Sequence, residues 1–250
     1  MSHLNVDTYG HAGEGIRNGR NKYPPNSLEG FEFVFEDTEV EGVEIDIQMT
    51  LDSQIVVYHD FNLDENSDGE GCIPSKNWSE LENLNIYKTE YKIPTLKEAL
   101  DLIFSHNRKV YLDVKYYNEC SGENVDFNTF NNAFNTVLDN YSKAQKENIL
   151  INARSMELVN TISDTVVIKS FETDSFDNIP QDLVTNEIDV LTTRLSSMTN
   201  ELKTDLDANG IRFCLYEIFV RSEVADALEF NPQMIIADKI ECALKFTHGK

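Results

Sequence analysis

Eight short apolar runs, each followed by a stretch with apolar residues at helical spacing, constrain this chain more than any other feature. The runs are Val6–Gly10, Val43–Met49, Val110–Val114, Ile149–Asn152, Val166–Ile168, Val190–Thr193, Ile211–Ile218 and Met234–Ala237. The helical stretches include Ser27–Asp37, Phe127–Ala144, Met156–Ile162, Pro180–Asn186, Asn200–Asn209, Ser222–Phe230 and Glu241–Phe246. A further helix starts at Thr95, which forms a capping box with Glu98 and leaves Leu96, Ala99, Leu100 and Ile103 on one face. Alternation of this kind calls for a parallel sheet. Eight repeats in 250 residues, with no linker, predict an α/β fold: one (β/α)8 barrel, residues 1–250 forming a single domain. One run, Ile55–Tyr58, stands outside the alternation and reads as a hairpin arm leaving the second strand.

The second strand, Gly42-Val43-Glu44-Ile45-Asp46-Ile47, carries two carboxylates where a chain normally keeps charge out. Strand side chains alternate, so Glu44 and Asp46 face the same way. Asp113 and Lys115 repeat the spacing on the third strand. His11 follows the first strand, and His59-Asp60 ends the arm. In a (β/α)8 barrel all of these arrive at the C-terminal end of the strands, where such barrels place their active sites. Three carboxylates without Cys or His among them suit a hard divalent cation, Mg2+ or Ca2+. Two histidines beside it suit acid–base chemistry near neutral pH, and Lys115 supplies positive charge for a phosphate. His3, His106 and His248 lie near the termini or in a helix-end loop and read as structural.

With 44 acidic and 21 basic residues the net charge is −23, which repels nucleic acid and anionic membrane at long range. No apolar stretch reaches the roughly eighteen residues of a membrane span. The N-terminus lacks the features of a secretory signal, so the expected compartment is the cytoplasm, or the periplasm or exterior if a leader has been removed. Cys214 and Cys242 lie in apolar runs and read as core thiols; Cys72 and Cys120 lie in polar loops and could pair only in an oxidising compartment. No C-x-x-C occurs, which disfavours a zinc site.

The motifs then become specific. His11-Ala12-Gly13, Pro25-Asn26-Ser27-Leu28-Glu29, Glu44-Ile45-Asp46 and His59-Asp60 resemble the H-R-G, E-N-T-L-E, E-x-D and H-D pattern of the glycerophosphodiester phosphodiesterase family. Ile93-Pro94-Thr95-Leu96-Lys97-Glu98, Asp113-Val114-Lys115 and Ile235-Ile236-Ala237-Asp238 resemble its later motifs in order. The resemblance implies a hydrolase of small glycerophosphodiesters. His11 and His59 would be its acid–base pair, Glu44, Asp46 and Asp113 its metal ligands, and Lys115 its phosphate contact. It also implies attack on phosphorus by the substrate's own glycerol hydroxyl, giving a cyclic phosphate that water opens.

Departures from the pattern concern the substrate. Ala12 stands where the family has arginine; Arg17 or Arg20 could replace it, or could simply be solvated. Asp113 stands for a glutamate. Tyr216, in place of a tryptophan-centred segment, either lines the pocket for the leaving alcohol or packs on the rim. Two other readings compete: a sphingomyelinase D-like phospholipase, disfavoured by the polar loops Asn62–Gly71 and Tyr116–Asp126, and an inactive barrel serving as a binding module.

Overall fold

The computed structural model describes residues 6–16, 21–177 and 179–248. Its strands are β1 (Asp7–His11), β2 (Gly42–Met49), β3 (Ile55–Val57), β4 (Lys109–Val114), β5 (Tyr117–Asn118), β6 (Glu123–Asn124), β7 (Ile149–Ala153), β8 (Ile168–Glu172), β9 (Val190–Arg194), β10 (Arg212–Ile218) and β11 (Met234–Ala237). Eight of them run parallel in the order β1-β2-β4-β7-β8-β9-β10-β11, and β1 pairs with both β2 and β11, so the sheet closes into a barrel. The expected (β/α)8 architecture is present. β3 pairs antiparallel with β2, with Ile47 opposite Val57, and is the hairpin arm. No helix among the described residues is long and apolar enough to cross a membrane.

The strands are buried on both faces, as parallel strands under crossover helices must be. One face packs outward: Val43, Ile45 and Ile47 of β2 meet Phe31, Leu96, Leu100 and Ile103 of the helices in the main apolar core. The other face fills the barrel, where Tyr9, Tyr111, Leu150, Val190, Cys214, Met234 and Ile236 form a second cluster. The helix Leu28–Asp37 starts at Ser27, whose hydroxyl accepts from the Gly30 N–H, and the helix Leu96–Ser105 starts at the expected Thr95–Glu98 capping box. Thr95→Ala should therefore lower stability by about 1 kcal/mol, read as a shift in denaturant midpoint with an unchanged slope.

Two elements differ from expectation. The helix foreseen over 127–144 ends at Leu138, and a separate turn, Lys143–Lys146, begins at the Ser142 cap. The Asn140 amide donates to the carbonyls of Thr136 and Val137, competing for acceptors that a continuing helix needs. The fifth barrel strand was expected at Val166–Ile168 but runs Ile168–Glu172. Lys169, Ser170 and Glu172 interrupt its apolar pattern, and register with β7 holds it there, Leu150 opposite Ile168.

Cys72 and Cys120 form a disulfide with a Cα–Cα distance of 5.9 Å. It ties the segment after the arm to the β5–β6 hairpin, which is also held by the Asn118 amide donating to the Ser75 hydroxyl. The cross-link spans a sequence separation of 48, and closing such a loop constrains the unfolded chain by about 4 kcal/mol in the chain-entropy model. Thermal unfolding with and without reductant should show a clearly lower Tm in the reduced protein. Of the other two, Cys214 is buried as expected, whereas Cys242 is only half-buried.

Candidate active site at the barrel mouth

The site follows from strand parity. On most barrel strands the residues that face inward are apolar near the N-terminal end and polar near the C-terminal end: Tyr9 then His11, Tyr111 then Asp113, Leu150 then Asn152, Ile168 then Glu172, Val190 then Arg194. Register brings these tips side by side, pairing His11 with Glu44, Asp46 with Asp113, Asp113 with Asn152, and Arg194 with Tyr216. The mouth opens into a cavity of about 550 Å³ lined by His11, Glu44, Asp46, His59, Asp113 and Lys115, among others.

Glu44, Asp46 and Asp113 each offer a carboxylate oxygen within 4.8 Å of the others. Glu44 and Asp46 are almost fully buried. Burial and the Asp46 charge push the Glu44 carboxyl well above its ordinary range. Burial also acts to raise Asp46, but Lys115, His59 and Asn26 outweigh it and hold that carboxyl low. The Lys115 ammonium lies 3.0 Å from Asp46 and 2.6 Å from Asp113. One ammonium faces three carboxylates, and an all-oxygen donor set with excess negative charge fits a hard divalent cation.

Both histidines are held by their own acidic partners. His11 Nδ1 lies 3.2 Å from Asp238, and its Nε2 3.9 Å from Glu44. Burial disfavours the charged ring, yet Asp238 and Glu44 overcome it and raise His11 to about 9. The loop carrying His11 packs close because Gly15, at φ +100°, has no Cβ; one would come within 2.3 Å of the Asp238 carbonyl oxygen. His59 Nδ1 lies 2.7 Å from Asp60, and that bond, followed by the Asp46 charge, raises its pKa. The Gln48 amide donates to the carbonyls of Tyr58 and Asp60, both at 2.8 Å, and so fixes the segment that presents His59.

The glycerophosphoryl diester phosphodiesterase family matches residues 17–239. The chain belongs to this family. Mouse glycerophosphodiester phosphodiesterase 1 is 32% identical over 107 residues, which is 40% of this chain and 32% of that protein. The aligned region thus spans about a third of the length of the first curated relatives. A phosphodiesterase of Oleispira antarctica, solved in complex with the product sn-glycerol-3-phosphate, superposes with a TM-score of 0.80 at 19% identity, covering 96% of both chains. A glycerophosphodiester phosphodiesterase of Thermotoga maritima gives a TM-score of 0.75 at 18% identity, over 96% of this chain and 97% of that one.

Every residue expected at the site of this family member lies at the mouth, except Arg17 and its alternative Arg20, which fall outside the described residues, as does His3. Ala12 is buried, at φ +49°, and serves through its backbone, its N–H donating to Glu44 at 3.0 Å. His248 bonds Glu41, and His106 packs on Phe35, so both are structural. Tyr216 lines the cavity.

Several residues were missed. Asn26 donates to Asp46 at 2.7 Å and accepts the Asp46 N–H at 3.1 Å. Asn152 donates to both Asp113 and Glu172 at 3.0 Å. Arg154 donates to Glu172 at 2.7 Å and to the Tyr216 hydroxyl at 2.9 Å, and Arg194 donates to the same hydroxyl at 3.2 Å. For Asn26 and Asp238 a signal existed, since they lie in the segments Pro25–Glu29 and Ile235–Asp238 that match the family pattern. For Asn152, Arg154, Glu172 and Arg194 it was only their place at strand ends. The loop Tyr116–Asp126, expected to be polar, turns Tyr116 and Tyr117 toward the cavity.

Proposed function

We propose that this chain hydrolyses glycerophosphodiesters to glycerol 3-phosphate and an alcohol, using a divalent cation, Mg2+ or Ca2+. The convergence of His11 and His59 on a cavity walled by Glu44, Asp46, Asp113 and Lys115 carries the reading. Glu44, Asp46 and Asp113 would hold the cation. When bound, the ion neutralises charge building on the non-bridging phosphate oxygens. Lys115 shares that task as a point charge and orients the phosphate.

The two imidazoles move the protons. One accepts the proton of the substrate's own glycerol hydroxyl as its oxygen bonds to phosphorus, and the other gives a proton to the alcohol oxygen as its P–O bond breaks. Water then opens the cyclic phosphate with the roles reversed. Asp238 and Asp60 hold the rings in place and favour their protonated forms. Neutralising the facing carboxylates weakens the field on the rings, so that one of them can act as base. An internal nucleophile, already placed beside phosphorus, uses the advantage of an intramolecular reaction.

The test is release of glycerol 3-phosphate from a panel of glycerophosphodiesters with Mg2+ or Ca2+ added. Release from at least one diester is expected; none from any diester, under either ion, would refute the reading. The Cys72–Cys120 disulfide favours work in an oxidising compartment over the cytoplasm. Reductant-free thiol titration of protein isolated from its native source should therefore find only Cys214 and Cys242 reactive after unfolding.

A further inference from the structure

The metal half of the mouth uses β1, β2 and β4. The other half, formed by β7 to β10, carries a second polar cluster for which the chemistry above has no use. Arg154, Glu172, Arg194, Tyr216 and Glu217 all line the same cavity as the two histidines. They form one bonded network: Arg154 bridges Glu172 and Tyr216, Arg194 bonds Tyr216 and lies 3.3 Å from Glu217, and both guanidiniums reach Asp174. Asn152 joins the network to Asp113.

Backbone geometry marks this half as built for a purpose. Neighbouring residues on a strand point to opposite faces, yet Tyr216 and Glu217 both line the cavity. They can do so because β10 bulges there. Leu215 pairs with Ile235 and Ile218 with Ala237, which leaves two residues opposite Ile236, and Glu217 adopts φ +60°. That left-handed conformation is unfavourable for a residue with a Cβ, and bulges at barrel rims commonly re-aim side chains into sites.

We propose that this network is the subsite for the leaving alcohol, and that it selects a polyhydroxylated head group such as glycerol or a cyclic polyol. The inference rests on the phosphodiesterase reading and names its substrate class. Its chemistry follows from the pairing. A quaternary ammonium would meet two guanidiniums, and the three nearby carboxylates are already ion-paired with them. A second anion would meet guanidiniums whose charge those carboxylates cancel. Hydroxyl groups both donate and accept, so they match a surface of paired donors and acceptors whose two cations and three anions leave one negative charge in excess. Both arginine side chains are about half-exposed and reachable from solvent. Tyr117, in a T-shaped pair with Phe61 at 6.2 Å and exposed, adds aromatic surface at the rim for the C–H groups of a cyclic polyol.

The test compares kcat/KM for glycerophosphoglycerol and glycerophosphoinositol with that for glycerophosphocholine and glycerophosphoethanolamine. The polyol diesters are expected to be the better substrates. Arg194→Ala should lower their kcat/KM about ten- to hundredfold, mainly through KM, and change the other two only a few-fold. Glu217→Gly relieves the left-handed backbone, so the protein should melt no lower than wild type while losing part of the same selectivity; this keeps the test open if Arg194→Ala folds poorly. Efficient hydrolysis of the choline and ethanolamine diesters without preference for polyols, or equal losses on all four in Arg194→Ala, would overturn the subsite and leave the phosphodiesterase reading intact. No hydrolysis of any diester would overturn both.

Discussion

Replacing His59 by alanine is expected to lower kcat on glycerophosphodiesters about 10²–10⁴-fold, the range that positioned proton transfer contributes, and His11→Ala should do the same. Both side chains are only partly buried, at 41% and 28% exposure, so the deletions remove little packing; His11→Ala also takes the partner from the buried Asp238 and should lower Tm more than His59→Ala. Lys115 and the carboxylates stay in place, so KM should move less than kcat. The two rings serve a single exchange of protons within each step. The double variant should therefore be scarcely slower than the worse single one, as for other groups that act as a unit. His248→Ala makes the control, since His248 bonds Glu41 away from the mouth. Steady-state kinetics on one diester decide it: kcat within a few-fold of wild type in His59→Ala or His11→Ala would remove that residue from the mechanism.

The sequence exposed the fold because two periodicities do not overlap. Val43, Ile45 and Ile47 against Glu44 and Asp46 have a period of two, and Leu96, Ala99, Leu100 and Ile103 have a period near 3.6. The half of the mouth that holds Glu44, Asp46, Asp113 and Lys115 was legible for the same reason: on β2 and at the end of β4 each of these polar residues stands two positions from another, on an otherwise apolar run. The other half was not. Asn152, Glu172 and Arg194 each sit alone at the end of a different strand, and only register across the barrel assembles them. Glu217 was hidden more deeply, because the bulge in β10 breaks the parity on which the reading depends. The displaced fifth strand failed on composition, since Lys169, Ser170 and Glu172 look like a loop until Leu150 fixes their register. The Cys72–Cys120 link bridges segments that nothing in their local sequence brings together.

Chelation should abolish turnover, and either Mg2+ or Ca2+ should restore it while raising Tm. The reason lies in charge. Glu44, Asp46 and Asp113 converge within 4.8 Å, and at close range only Lys115, beside Asp46 and Asp113, and His11, beside Glu44, offset them. Burial leaves the Glu44 carboxyl resisting ionisation beside Asp46. A divalent ion relieves that repulsion only in the folded protein, because the three carboxylates are far apart in the unfolded chain. At a hundredfold excess over its Kd, the ion would stabilise the fold by about 2.7 kcal/mol, or roughly 5–10 °C in a domain of this size. Asp46→Asn should lose both responses together, since it removes a ligand and the hydrogen-bonded anchor of Asn26. Asp52→Asn should keep both, because Asp52 serves only the arm turn, accepting from Thr50 and Trp78. Thermal melts and initial rates across a titration of each ion read the two effects independently. Full activity in protein stripped of metal would sink the cation site, and a Tm indifferent to both ions would remove the link between charge repulsion in the triad and the need for a cation.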